Sequence, residues 1–262
     1  MVRGATVAWC CLLALILPVA GEPVPLVRAH AHNDYHHPRP LLDALAQGFC
    51  SVEADIFLVD GKLLVGHQRR ELKPENTLQR LYLDPLRLRS RANNGRIYRG
   101  GPVFTLLIDI KSGGEATYRA LATVLAGYPR LLCVTRDGKF AERAVVAIIS
   151  GNRAREIIVS DNPRFAGIDG RLTDLSSNAP PHQLPLISDR WSSHFKWRGK
   201  GDFPEAERIK LRSIVRQAHA KGRRVRFWAT PEKVALWREL REAEVDLINT
   251  DDLPGLREFL KP

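Results

Sequence analysis

Ser51-Val52-Glu53-Ala54-Asp55-Ile56-Phe57 is the stretch from which the rest of the chain is read. Its apolar and β-branched residues mark a strand. Residues two apart on a strand share a face, so Glu53 and Asp55 point the same way. Two carboxylates held together repel, and burial sharpens the repulsion unless a cation or basic side chains neutralise them. A hard divalent ion with oxygen ligands meets that need, and either Mg²⁺ or Ca²⁺ suits it. Such a pair toward the end of an apolar strand fits the inner wall of a barrel, where sites are assembled at the carboxyl ends of strands.

Working outward, short aliphatic runs recur at 26–31, 51–57, 104–110, 145–149, 165–168, 184–188, 225–229 and 246–249, separated by amphipathic stretches. Alternation of this kind predicts βα units around a parallel sheet, and eight runs predict an α/β fold of the TIM-type (β/α)8 barrel class. The chain of 262 residues is close to the roughly 250 such a barrel needs. The middle is less regular, because 131–135 and 156–160 are also strand-like. A helix over 204–221 should bury Leu211, Ile214, Val215 and Ala218 and end at Gly222. Thr230 and Pro231 read as N-cap and first residue of the next helix, with Val234, Trp237 and Leu240 at helical spacing. Segments 87–101 and 176–185 read as loops.

A composition of 44% hydrophobic and 26% charged residues excludes a disordered or fibrous chain. The net charge of +11 suits an anionic substrate and transient contact with a membrane surface. Lysines and arginines are spread along the sequence with no nucleic-acid module, so a nucleic-acid partner is not expected, nor is an obligate protein partner. Arg3, the apolar run at 5–20 and the small residues Val19-Ala20-Gly21 read as a secretory signal peptide over 1–21. The barrel domain is then 22–262, secreted to an extracellular or periplasmic space. Cys50 and Cys133 remain, either paired or as separate buried thiols.

Three further features gather around Glu53 and Asp55. Asp60-Gly61 is a two-residue turn signal, and a hairpin pivoting there sets His67 opposite Ala54, beside the two acids. The 104–110 strand ends in Asp109-Ile110-Lys111, whose acid and lysine share a face and add a third carboxylate and a cation. The first strand ends in His30-Ala31-His32-Asn33-Asp34. His32 belongs at the mouth, and His30 belongs to the site's periphery or the core. An imidazole exchanges a proton near neutrality, so His32 and His67 can serve as an acid and base pair across a phosphorus centre. Asn152, Asp169, Arg171, Asp189, Arg190, Trp191, Trp228, Asn249 and Asp251 also stand at strand ends. Of these, Arg171 can bind phosphate or sit in a salt bridge, and Trp228 can wall a headgroup or pack in the upper core.

His32, Glu53-x-Asp55, His67 and Asp109-x-Lys111 together resemble the phospholipase-C-like phosphodiesterase superfamily, which includes glycerophosphodiester phosphodiesterases and venom sphingomyelinase D enzymes. Ala31-His32-Asn33-Asp34-Tyr35, Gly48 to Asp55, Leu81-Tyr82-Leu83-Asp84-Pro85-Leu86 and Ser150-Gly151-Asn152-Arg153 look more specifically like the altered-inheritance-of-mitochondria protein 6 family. The resemblance implies Glu53, Asp55 and Asp109 as metal ligands, Mg²⁺ as the usual ion, and His32 and His67 as the catalytic pair. It also implies Lys111 as a phosphate contact and Trp228 on the substrate side, with Asn33, Asn152 and Arg171 as further substrate-binding candidates. Glycerophosphodiester phosphodiesterases usually follow their first histidine with Arg-Gly, then Pro-Glu-Asn-Thr. Here Asn33-Asp34 follows His32, and Pro74-Glu75-Asn76-Thr77 comes after His67. The function implied is metal-dependent cleavage of a glycerophosphodiester or (lyso)phospholipid. The alternatives are a non-catalytic exported barrel that binds anionic lipid headgroups, and an amidohydrolase-like metal hydrolase built on His30-x-His32 and Asp251.

Overall fold

The computed structural model describes residues 22–261, and the expected signal peptide lies outside the described residues. Eleven strands form in chain order: β1 (Leu26–Ala31), β2 (Phe49–Val59), β3 (Lys62–Val65), β4 (Phe104–Ile110), β5 (Val134–Arg136), β6 (Lys139–Ala141), β7 (Val145–Gly151), β8 (Ala166–Gly170), β9 (Leu186–Arg190), β10 (Arg224–Trp228) and β11 (Ile248–Thr250). Eight of them are parallel and run β10-β9-β8-β7-β4-β2-β1-β11. The ends meet at one bridge between Arg226 and Leu247, where Asp246 N and Leu247 N each donate to Val225 O at 3.1 Å. The result is a nearly closed (β/α)8 barrel, as the eight apolar runs predicted.

Alternation along each strand sorts the side chains. Val52, Ala54 and Ile56 of β2 and Leu106, Ile108 and Ile110 of β4 face the helices and are buried in the large outer core. The opposite faces point inward, where Leu107, Ile148, Leu186 and Leu247 make a small plug. One residue pair further along the strands, the same inward face carries Glu53, Asp109, Ser150, Ser188 and Arg226. The apolar plug is therefore the floor of a polar chamber.

Helices α1 (Leu42–Ala46), α2 (Asp84–Ala92), α3 (Gly114–Ala126), α4 (Arg155–Ser160), α5 (Trp191–His194), α6 (Glu205–His219), α7 (Val234–Glu242) and α8 (Leu253–Leu260) fill the outer ring. Helix α6 buries the expected Leu211, Ile214, Val215 and Ala218. Among the described residues, no helix is long and apolar enough to cross a membrane.

Several local expectations are corrected. Residues 156–160 are helical, within α4, and 131–135 forms no barrel strand: Leu132 makes a single bridge to Val145 at the start of β7, and Val134 and Thr135 belong to the β5–β6 hairpin. The first part of 87–101 belongs to α2, where Leu86 and Ser90 are buried and Arg89 lies over the Tyr98 ring at 5.2 Å; the arginine-rich face had masked the helical period. Helix α7 starts at Val234 instead of Pro231. Ala229 is left-handed (φ 51), and Glu232 accepts from Thr250 Oγ1 at 2.7 Å and Asp251 N at 2.9 Å, which holds 230–233 against the barrel end. Val234 is half exposed, and Leu236 joins Trp237 and Leu240 on the buried face. Cys50 and Cys133 are separate buried thiols, so the disulfide alternative falls, and burial pushes the Cys50 thiol up to about 12.

Candidate active site

The β2–β3 hairpin delivers the first histidine. Asp60 and Gly61 both adopt left-handed backbone (φ 46 and 74), as a two-residue hairpin turn requires. The ladder pairs Val59 with Lys62 and Ile56 with Val65, so His67 returns to the level of Asp55. Its Nδ1 lies 3.0 Å from Asp55 Oδ2. Since a carboxylate only accepts, the ring's Nδ1–H donates, so in the neutral ring Nε2 is the nitrogen that carries the lone pair.

The second histidine comes from the residue after β1. His32 Nδ1 lies 2.8 Å from Asp251 Oδ1, and its Nε2 is 3.9 Å from Glu53 Oε2. Burial disfavours the imidazolium, but the bond to Asp251 and the charge of Glu53 outweigh it and raise the His32 pKa. His30 behaves differently. It is fully buried, with Nδ1 2.6 Å from Ser51 Oγ, and burial with Arg226 beside it lowers its pKa to about 3. His30 is thus a neutral core residue supporting Glu53, from which its Nε2 is 3.6 Å away.

Strands β2 and β4 are in a register that pairs Asp55 with Asp109, which brings the three acids together. Oxygens of Glu53, Asp55 and Asp109 all lie within 4.8 Å of one another. Each carboxylate is held from one side. Asp55 Oδ2 meets the Tyr35 hydroxyl at 2.7 Å, His67, and Lys111 Nζ at 3.2 Å. Asp109 Oδ2 lies 3.1 Å from Lys111 Nζ, and Glu53 Oε2 accepts from Arg226 Nη2 at 2.7 Å. Asp55 Oδ1 and Asp109 Oδ1 are buried with no hydrogen-bond partner. Two orphaned carboxylate oxygens within a cluster of three acids are a donor set that fits a hard divalent cation, with Mg²⁺ and Ca²⁺ equally served by it.

The electrostatics agree with that fit. Burial, together with the charges of Asp55 and Glu53, lifts the Asp109 carboxyl to about 6 although Lys111 pulls the other way. Glu53 is also buried, but Arg226 holds its carboxyl far below the usual range. Lys111 is raised by Asp109 and Asp55 against its own desolvation.

A cavity of about 600 Å³ opens over this cluster and is lined by His32, Asn33, Glu53, His67, Asp109 and Lys111. Asn152, Arg171, Arg226 and Trp228 complete its wall. All the sequence-selected site residues therefore meet at one mouth, with Asp55 beneath its surface. Arg171 is in a salt bridge, its Nη1 2.8 Å from Asp169 Oδ2, while still facing the cavity. Asn152 Nδ2 donates to Ser112 O at 2.9 Å. Trp228 lies under the Arg190 guanidinium, 5.7 Å from ring centre to Cζ.

Three other strand-end residues do not line the cavity. Trp191 is core, donating Nε1–H to Trp197 O at 2.8 Å; Asp189 pairs with His194 at 3.1 Å; and Asn249 is buried, accepting from Arg226 Nε at 2.8 Å. Arg226 and Tyr35 were not selected from sequence. For Arg226 a signal existed: alternation along Arg224-Val225-Arg226-Phe227-Trp228 points it inward with Trp228, and a cation inside a barrel needs an anion. Tyr35 follows Asn33-Asp34 in a left-handed turn (Asn33 φ 46), a geometry no simple period announces.

Comparison with known proteins then decides the family. A family model described as an AIM6-like phosphodiesterase domain matches residues 20–166, more than half of the chain. The chain belongs to this family. Altered inheritance of mitochondria protein 6 of Eremothecium gossypii is 32% identical over 89% of this chain and 69% of its own length. The homolog of Arthroderma benhamiae is 29% identical over 90% of this chain and 84% of its own. Residues 224–254 match the glycerophosphoryl diester phosphodiesterase family, and with the AIM6-like match this makes the chain a member of the phospholipase-C-like phosphodiesterase superfamily. Two solved structures share the fold. A glycerophosphodiester phosphodiesterase from Agrobacterium tumefaciens has a TM-score of 0.54 at 16% identity, covering 89% of this chain and 98% of that one. A calcium-dependent phosphoinositol-specific phospholipase C from a Pseudomonas species also has 0.54, at 13% identity, covering 90% and 93%. A buried acid cluster able to chelate a divalent ion, on this fold, supports metal-assisted phosphoester chemistry.

Proposed function

We propose that the protein cleaves a glycerophosphodiester or a (lyso)phospholipid, using a divalent ion held by Glu53, Asp55 and Asp109 and the acid and base pair His32 and His67. The observation that carries this reading is the convergence of three carboxylates and two imidazoles on one cavity. Mg²⁺ is the ion of choice, and when bound it supplies Lewis-acid stabilisation of charge on a phosphate oxygen.

The chain's own groups do the rest. Asp55 fixes the His67 tautomer, so Nε2 is free to take a proton from water or from a neighbouring substrate hydroxyl. Asp251 supports the protonated form of His32, which suits that ring to protonate the leaving alkoxide. Lys111, with Nζ near both Asp55 and Asp109, balances charge as the phosphate enters. Asn33, Asn152, Arg171 and Trp228 line the volume beyond the reacting centre and bind the remainder of the substrate. Arg3 and the apolar run at 5–20 support export, with the protein acting outside the cytoplasm; recovery of a chain starting near Glu22 from the medium or periplasm checks it.

Phosphorus NMR of a panel of glycerophosphodiesters and lysophospholipids, with Mg²⁺, Ca²⁺ or chelator, tests the chemistry. Metal-dependent appearance of a phosphomonoester indicates attack by water. A persistent cyclic phosphate indicates attack by a substrate hydroxyl. Absence of turnover across the panel with either ion refutes the reading and leaves a lipid-headgroup binder.

A further inference from the structure

Beside the reacting centre, on the β7 and β8 side, the barrel carries a second concentration of charge, of which the reading above uses only Arg171 and only as a general substrate contact. Asp109 on β4 pairs with Ser150 on β7, Ser150 Oγ donates to Asp169 Oδ2 on β8 at 2.7 Å, and Arg171 Nη1 meets the same oxygen. Arg171 therefore stands two strands round the barrel from Asp109, on the order of 10 Å by the spacing of neighbouring strands.

Arg153 sits next to it. Its Nη1 donates to the Asp169 carbonyl at 2.9 Å, a neutral acceptor. The largest charges acting on it are Arg171, Asp169, Arg155 and Asp174, and burial together with Arg171 lowers its pKa. The pairing leaves it over. Asp169 is taken by Arg171, and Asp174 is taken by both guanidinium nitrogens of Arg155 at 3.0 Å. Among the described residues, no carboxylate lies within salt-bridge range of Arg153. Arg153 lines a polar groove that adjoins the main cavity and shares Gly151 and Asn152 with it, while Arg171 lines the main cavity itself. On that groove Glu115 is already paired with Arg119, and Glu156, which also lines it, makes no salt bridge with Arg153.

The opposite wall argues against a cationic headgroup. The aromatic face that could receive a quaternary ammonium is Trp228, and Arg190 already lies over it. Among the described residues Arg190 likewise has no carboxylate in salt-bridge range.

We propose that Arg153 and Arg171 form a second anion subsite, and that the substrate is a phosphodiester whose polyol headgroup carries a further phosphate or carboxylate. This identification of the substrate class rests on the phosphodiesterase reading above. The subsite itself does not, because it is defined by charge and place alone. Arg153 is the separable member: its carbonyl contact leaves the Asp169 cluster intact when it is replaced, whereas Arg171 is built into that cluster.

Two measurements on the full chain with Mg²⁺ test it. In calorimetry, butane-1,4-diol bisphosphate should bind about 10-fold or more tighter than the monophosphate, and Arg153→Gln should bring the two within about twofold of each other. In turnover, the ratio of kcat/KM for a glycerophosphoinositol phosphate over glycerophosphoinositol should be about 10 or more and fall toward one in Arg153→Gln, through KM. Glycerophosphocholine should be the poorest of the three. Equal binding of bisphosphate and monophosphate by the unmodified protein, or a preference that survives Arg153→Gln, overturns the subsite. Preferential bisphosphate binding with no diester turned over sustains the subsite and sinks the phosphodiesterase reading instead, so the two failures are distinguishable.

Discussion

His32 Nδ1 lies 2.8 Å from Oδ1 of Asp251, the residue that follows the last barrel strand and closes the ring onto the first. The contact joins the ends of the neighbouring strands β1 and β11 at the mouth and sets which His32 nitrogen faces the cavity. Burial opposes protonation of His32 and Asp251 reverses the balance, so Asp251→Asn should lower the His32 pKa. A proton needed for the leaving group is then lost at lower pH. The alkaline limb of kcat/KM should move to lower pH and kcat should fall by roughly 10 to 100-fold. Imidazole titration by NMR beside the rate profile checks both. A limb that stays in place means the pair has no part in proton transfer.

Glu53, Asp55 and Asp109 predict a trade between stability and metal binding. The folded Asp109 pKa is raised to about 6, so stability tied to its proton is present at low pH and lost as pH rises through that value. At pH 7.5 without metal the ionised cluster is therefore a liability, and Asp109→Asn should melt higher than the unmodified protein in chelator. With Mg²⁺ the order should reverse, since a bound ion stabilises only a protein that can hold it. Thermal melts in chelator and in millimolar Mg²⁺ measure this. A metal-induced shift that persists in Asp109→Asn removes Asp109 from the ligand set.

Gly151 makes the acid cluster sterically possible. Its φ of +68 is left-handed, and a Cβ there would lie 2.0 Å from Asp109 Oδ1 and 2.4 Å from Ile110 O. The second clash is with backbone that cannot step aside. Gly151→Ala should cost about 1–3 kcal/mol from the backbone alone, and should weaken Mg²⁺ binding by displacing the Asp109 oxygen. Denaturant unfolding with metal titration checks it. Unaltered metal affinity would show that Asp109 Oδ1 is not a ligand.

The eight barrel strands were legible because strands buried on both faces write themselves as unbroken aliphatic runs. Asp60-Gly61 fixed the hairpin register, and with it the return of His67 to Asp55, by its own backbone preference. What escaped has a common cause. Arg226 and Tyr35 act through partners 173 and 20 residues away, and the role of Asp251, visible only as a strand-end acid, depends on a partner 219 residues away; folding of the sheet brings each pair together. Helix α2 escaped because five of its nine residues are polar arginines, serine or aspartate, and its buried face is a narrow stripe of Leu86 and Ser90.

Asp34 predicts a pH-dependent stability unrelated to catalysis. It is fully buried, accepts from Leu41 N at 2.5 Å with Oδ2, and leaves Oδ1 without a hydrogen-bond partner although the Tyr82 hydroxyl is its neighbour. Burial raises its pKa from 3.8 to about 7. Stability tied to its proton is therefore complete below the unfolded value and is lost as pH rises through about 7. Asp34→Asn keeps an acceptor for Leu41, can donate to Tyr82 and cannot ionise. It should exceed the unmodified protein's Tm by about 4 °C or more at pH 8.5, with a clearly smaller margin at pH 5. Asp34→Ala, lacking the acceptor for Leu41, should melt lower at both pH values. A difference between Asp34→Asn and the unmodified protein that is the same at pH 5 and pH 8.5 would show that Asp34 does not titrate in this range.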